Sequence, residues 1–148
     1  VKLYIMRHGQ AEYAAPSDEL RPLSESGQEQ ARKVAEQLRD IPFSGILASP
    51  YLRAQQTAET VRSVISGPGI TTTQSIVPEA VPNIAVDQLP DQGNWLLVAH
   101  MPLVGKLTSL LVDGVVSADV PYSTAMVCEL EMELPGPGMA YLQRIFTP

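Results

Sequence analysis

The sequence predicts an α/β protein, a three-layer α/β/α sandwich around a mostly parallel mixed sheet. Short apolar runs bounded like buried strands alternate with amphipathic helical stretches over most of the chain. Such alternation builds a parallel sheet with helices on both faces. Towards the end the hydrophobic period changes to two, around a Pro-Gly-rich turn, which predicts an antiparallel hairpin added to the same sheet.

Each element has its own signal. Residues 2 to 6 form the first strand, and a polar loop follows from about Gly9 to Pro22. Ser24 is the N-cap of a helix over about 25 to 39, in which Gly27, Ala31, Val34, Ala35 and Leu38 share one face. On its other face Glu29 precedes Lys33 by one helical turn, a modest surface stabiliser. Gly45-Ile46-Leu47-Ala48 is a short buried strand. Ser49 and Pro50 then supply an N-cap and a first-turn proline for a helix running to about Ile65, before Gly67-Pro68-Gly69.

Residues 72 to 77 read as a short strand, and Pro82 to about Leu89 as a short helix limited by Pro90. Asn94 to Ala99 is the second long buried strand. Pro102 opens a helix whose Leu103, Val104, Leu107, Leu110 and Leu111 keep amphipathic spacing up to Asp113-Gly114. Thr124 to Leu134 alternates: Met126, Cys128, Leu130 and Met132 face inward, while Glu129, Glu131 and Glu133 form a solvated face. Pro135-Gly136-Pro137-Gly138 turns the chain into a last strand from Met139 to Phe146.

With 148 residues the chain has room for one domain with a real core, and none for a second. A composition of 45% hydrophobic and 18% charged residues is that of an ordinary globular protein. The net charge of −6 argues against a nucleic-acid partner, since duplex binding needs a basic face. No run reaches the roughly 20 apolar residues of a membrane span, and no signal peptide precedes the first strand. The expected compartment is the cytoplasm, without membrane association. The single cysteine, Cys128, reads as a buried structural thiol.

The chain has two histidines, and each ends an apolar run: His8 after Leu3-Tyr4-Ile5-Met6-Arg7, and His100 after Trp95-Leu96-Leu97-Val98-Ala99. Both are therefore expected at the carboxyl ends of strands, where open α/β sheets bind ligands. Arg7 adjoins His8, and Arg53 falls in the first turn of the helix after the Gly45–Ala48 run. Two imidazoles and two guanidiniums at one sheet edge suit a phosphoryl group, because planar forks grip its oxygens and a neutral imidazole can attack its phosphorus. Metal ligation is the other use of paired histidines. Neither has a second histidine or an acidic neighbour at helix spacing, so no metal and no cofactor are expected.

Arg7-His8-Gly9 after the first strand, Ser49-Pro50-Tyr51-Leu52-Arg53-Ala54-Gln55-Gln56-Thr57, and His100 ending a later strand together resemble the histidine phosphatase superfamily. Its fold is the phosphoglycerate mutase-like sandwich. Within the superfamily the chain is most similar to small phosphohistidine phosphatases of the SixA type. That likeness runs through Ile5-Met6-Arg7-His8-Gly9, Ser17-Asp18-Glu19-Leu20-Arg21-Pro22-Leu23 and His100-Met101-Pro102-Leu103-Val104-Gly105, and fades after about Ser117. The resemblance implies one histidine phosphatase domain over 1–148 without a large cap insertion.

It also implies the roles. His8 is the nucleophile that forms a phosphohistidine intermediate, Arg7 and Arg53 hold phosphate oxygens, and a charged His100 adds a donor, steadied by a backbone hydrogen bond. Free amides at the helix start after His100 meet the phosphate as well. Gly9 lets the oxygens approach. Arg21 and Asp18 lie at the site mouth and contact substrate or each other. Glu79, in Val77-Pro78-Glu79-Ala80, falls roughly where larger relatives carry a general acid. The implied reaction is hydrolysis of phosphohistidine on a protein, such as a histidine phosphotransfer domain or a phosphocarrier protein. A phosphatase of small phosphate esters and a non-catalytic phosphate-binding module are the alternatives.

Overall fold

The computed structural model describes residues 1–116 and 120–148. Ser117, where the resemblance fades, lies outside them. A six-stranded sheet carries β1 (Lys2–Arg7), β2 (Gly45–Ala48), β3 (Ile70–Thr72), β4 (Asn94–Ala99), β5 (Val127–Glu131) and β6 (Tyr141–Phe146), in the order β3-β2-β4-β1-β5-β6. β1, β2, β3 and β4 are parallel, whereas β5 runs antiparallel between β1 and β6. The expected mixed sheet is present.

Alternation along the strands sorts side chains onto two faces. Leu3, Ile5, Leu97, Ala99, Cys128 and Leu130 pack with helices α3 (Pro82–Asp87) and α4 (Leu103–Asp113). Tyr4, Met6, Leu96, Val98, Ile46 and Val127 pack on the other side with α1 (Glu25–Gln37) and α2 (Leu52–Ile65). Helices therefore cover both faces, and both clusters meet at β1 and β4. Ser24 caps α1 as its sequence requires, with Oγ accepting from the Gly27 amide at 2.9 Å. Cys128 is fully buried, a structural thiol.

Several local expectations are corrected. Instead of a strand over 72–77, β3 ends at Thr72 and a short 3-10 turn spans Gln74–Ile76, because the Thr73 hydroxyl accepts from the Ser75 amide and curls the chain. The helix expected from Ser49 starts at Leu52, with Tyr51 at the cap position, since the Ser49 hydroxyl is engaged elsewhere. Glu29 pairs with Arg32 at 2.9 Å rather than with Lys33. β5 is shorter than 124–134 because Ala125, at φ 62°, and its amide bond to the His8 carbonyl hold the preceding residues in a turn. β6 starts at Tyr141 because the amides of Gly138 and Ala140 donate to the Leu110 and Leu111 carbonyls of α4.

Glu129 is the largest departure, for it is buried rather than solvated. Arg144 on β6 donates to it at 2.9 Å, the Tyr4 hydroxyl bonds it, and Lys2 lies 4.0 Å away. Burial alone would raise its pKa. The Arg144 and Tyr4 hydrogen bonds, with the nearby positive charges, outweigh that and hold the carboxyl below its ordinary range. Glu131 and Glu133 are exposed as expected.

Candidate active site

Strand order decides what gathers at the carboxyl edge. β4 lies between β1 and β2, so the residues just past these three strands stand side by side. Arg7 pairs in register with Ala99, which sets His8 beside His100, and their ring centroids are 5.2 Å apart. α2, following β2, brings Arg53 to the same place. The structure thus gathers His8, Arg7, Arg53 and His100 as the sequence predicts.

The His8 ring is fixed from both sides. Nδ1 lies 2.6 Å from the Gly9 carbonyl oxygen, an acceptor, so Nδ1 carries the proton and donates. That leaves the lone pair on Nε2, which accepts from Arg53 Nε–H at 3.3 Å. Burial first, and then the charges of Arg53, Arg7 and Arg21, lower the pKa of His8 to about 4 despite the Gly9 bond. At neutral pH His8 is an uncharged imidazole with Nε2 free to attack phosphorus.

His100 departs from expectation in two ways. Its Nε2 bonds the Ser49 hydroxyl at 2.7 Å, not the backbone. Burial, with the His8 and Arg53 charges, brings its pKa down to about 2, so it is neutral rather than cationic. A neutral His100 can still donate: Ser49 Oγ also accepts the Tyr51 amide at 3.3 Å, and in the tautomer in which its hydroxyl donates to His100 Nε2 the ring proton lies on Nδ1. Among the described residues, His100 Nδ1 and Arg7 Nε are both buried without a hydrogen-bond partner. Two such groups beside a nucleophile are what an anionic ligand would satisfy.

Both guanidiniums have anchors outside the reacting centre. Arg7 Nη1 donates to the Tyr122 carbonyl at 2.7 Å. Arg53, only 4% exposed, lies over the Tyr51 ring and donates through Nη1 to the Asp18 carbonyl oxygen at 2.7 Å. The Asp18 carboxylate bridges Arg53 of α2 and Arg21 of the loop: Oδ2 accepts from Arg53 Nη2 at 3.2 Å and Oδ1 from Arg21 Nη1 at 3.1 Å. Burial, the largest single effect, opposes its ionisation, but the hydrogen bonds and charges of the two guanidiniums together hold its pKa below the ordinary value. Arg21 is further held by the Glu12 carbonyl at 2.8 Å and lies over the Tyr13 ring.

Gly9 has a different reason from the one expected. Its backbone abuts Gly27 of α1, leaving no room for a Cβ, and its amide donates to Thr57 Oγ1 at 3.1 Å. At the helix start after His100, the Val104 amide is taken by the His100 carbonyl at 2.9 Å. Glu79 sits exposed in the turn closed by the Ala80 amide and Val77 carbonyl, and makes no hydrogen bond or ion pair with the four central residues among the described ones.

Sequence reasoning passed over four contributors. Thr57 Oγ1 donates to the Arg53 carbonyl at 2.7 Å while accepting the Gly9 amide, so one hydroxyl ties the nucleophile's loop to α2. Its position four residues after Arg53, hence on the same helix face, was a usable signal. Ser49 and Tyr51 flank the end of β2. Tyr122 has no comparable signal, because it reaches Arg7 from a distant loop.

Comparison with known proteins agrees with this geometry. The histidine phosphatase superfamily (branch 1) pattern matches residues 3–74. The chain is 30% identical to phosphohistidine phosphatase SixA of Escherichia coli (strain K12), over 93% of this chain and 89% of that protein. It is 32% identical to the phosphohistidine phosphatase SixA homolog of Haemophilus influenzae, over 75% of this chain and 77% of that one. The solved structure of the protein histidine phosphatase SixA complexed with tungstate superposes with a TM-score of 0.91 at 26% identity, covering 100% of this chain and 97% of the other. The chain belongs to the histidine phosphatase superfamily and is a phosphatase.

Proposed function

We propose that the protein is a cytoplasmic phosphohistidine phosphatase that hydrolyses phosphohistidine on a partner protein, without a metal, through a phospho-His8 intermediate. The observation that carries this reading is the unprotonated Nε2 of His8, with Arg53 Nε at 3.3 Å and the unpartnered Arg7 Nε and His100 Nδ1 beside it. In the first step Nε2 attacks phosphorus in line, the P–N bond to the substrate imidazole breaks, and that imidazole leaves with a proton. Water then attacks the phospho-His8 phosphorus, releasing inorganic phosphate and restoring the ring. Arg7 and Arg53 stabilise the equatorial oxygens throughout, and Ser49 keeps His100 turned to donate.

The leaving group supports phosphohistidine over ordinary esters. An alkoxide needs a proton from a positioned acid, whereas an imidazole, with a conjugate-acid pKa of ~6.5, departs already protonated. Glu79, the expected acid, is exposed and unattached to the cluster. Metal independence is supported by the donor set, in which guanidinium and imidazole N–H groups supply the charge stabilisation. Two matched relatives bear the name phosphohistidine phosphatase, and a matched solved structure, of the protein histidine phosphatase SixA, holds tungstate, a phosphate mimic. The partner expected on these grounds is a histidine phosphotransfer domain or a phosphocarrier protein.

The test compares turnover of a phosphorylated histidine phosphotransfer domain with sugar and nucleotide phosphates, for wild type and Glu79→Gln, with and without EDTA. The phosphorylated domain should be preferred, EDTA should have no effect, and Glu79→Gln should cost less than about threefold, against the ~10²–10⁴-fold of a required acid. Preference for sugar phosphates with a hundredfold loss in Glu79→Gln would identify a small-ester phosphatase instead. Loss of activity with EDTA, restored by a divalent ion, would overturn the metal-free mechanism.

A further inference from the structure

We infer that Asp18 is an affinity-setting residue, a resident carboxylate on the phosphate-gripping guanidinium of Arg53 that weakens the hold on free phosphate. The inference rests on the phosphatase reading above. The Nε–H and the adjacent Nη2–H of a guanidinium form one two-pronged fork. In Arg53, Nε points at His8 Nε2 at 3.3 Å, while Asp18 holds the far end of the same guanidinium, Nη1 through its carbonyl at 2.7 Å and Nη2 through Oδ2 at 3.2 Å. A phosphoryl group on His8 that takes both prongs shares Nη2 with the carboxylate and sets two anions on one guanidinium.

Nothing in the packing requires the carboxylate to stay. Arg53 keeps its Nη1 bond to the Asp18 backbone carbonyl at 2.7 Å and its place over Tyr51. Arg21 keeps the Glu12 carbonyl and the Tyr13 ring. The Asp18 side chain is 57% exposed, so it can turn to solvent at little cost. Positioning of both guanidiniums is thus done by backbone carbonyls and aromatic rings, leaving the carboxylate as the exchangeable partner.

The consequence is discrimination by charge. Inorganic phosphate, largely dianionic near neutral pH, meets a negative neighbour when it sits in the fork. A phosphoryl group on a protonated imidazole brings a compensating positive charge. Asp18 therefore disfavours the product and dianionic esters more than phosphohistidine, and its repulsion helps expel phosphate after each turnover.

Direct titration of the intact protein with inorganic phosphate, and separately with tungstate, tests this in wild type, Asp18→Asn and Asp18→Ala. Both variants should bind both anions at least about fivefold more tightly, because the guanidinium no longer shares its charge with a resident carboxylate. Unchanged or weaker binding in variants with wild-type thermal stability would overturn the inference and make Asp18 an ordinary brace for Arg53. Damage to the fold can only weaken binding, so tightening has no structural explanation. Failure of all three proteins to bind either anion would overturn the phosphohistidine reading itself, a result distinct from equal binding in all three.

Discussion

Gly9, one residue past His8, lies backbone to backbone against Gly27 in the first turn of α1: a Cβ on Gly9 would fall 2.5 Å from the Gly27 carbonyl oxygen. Since the His8 ring is held by the Gly9 carbonyl, this contact sets the aim of the nucleophile as well as the packing of α1. Gly9→Ala should destabilise the fold by about 1–3 kcal/mol through overpacking. It should lower kcat more than the loss of folded protein explains. Urea unfolding alongside kcat normalised to folded enzyme checks both, and wild-type stability would show that the backbone gives way freely.

Ser49→Ala removes the hydroxyl that bonds His100 Nε2 and leaves a fully enclosed ring with both nitrogens unpartnered. An unsatisfied buried group costs about 1–3 kcal/mol, so kcat/KM should fall by roughly tenfold or more. Ser49→Thr keeps a hydroxyl and should restore most of the activity. Wild-type kcat/KM in Ser49→Ala would show that the site does not need the bond.

Both histidines bind protons less readily in the folded chain than the ordinary imidazole at ~6.5. His8 titrates at about 4 and His100 at about 2, so below ~6.5 the unfolded chain holds more protons and stability falls with pH. The loss begins as pH drops through ~6.5 and, for His8, is complete near its folded value, amounting to roughly 3 kcal/mol. Urea unfolding at pH 7.5 and 5 should show a smaller decline in His8→Ala than in wild type. Identical declines would place the His8 pKa near its ordinary value.

Much of this arrangement was legible in the sequence because it rests on local pattern. β4 appears with the bounds its apolar run predicts, and β1 runs one residue further. Each carries its histidine just past its end, and pairing of parallel strands does the rest. What was not legible depends on partners distant in sequence. Glu129 fits the alternation of a solvated face, yet Arg144 on the neighbouring strand covers it. Ser49 has the sequence of an N-cap, but β4 brings His100 within 2.7 Å and the stronger partner takes the hydroxyl. The charge of His100 was misjudged for the same reason, since burial beside His8 and Arg53 is a property of the assembled edge.

The central claim is that His8 Nε2 becomes covalently phosphorylated. Rapid acid-free quenching after brief mixing with a phosphorus-32-labelled phosphohistidine protein tests it, with the label located by peptide mapping in wild type and His8→Ala. Wild type should carry an acid-labile, base-stable label on the peptide containing His8. His8→Ala should fold, carry no label and release no phosphate. Turnover at the wild-type rate by His8→Ala, or a label that survives acid, would contradict the covalent mechanism.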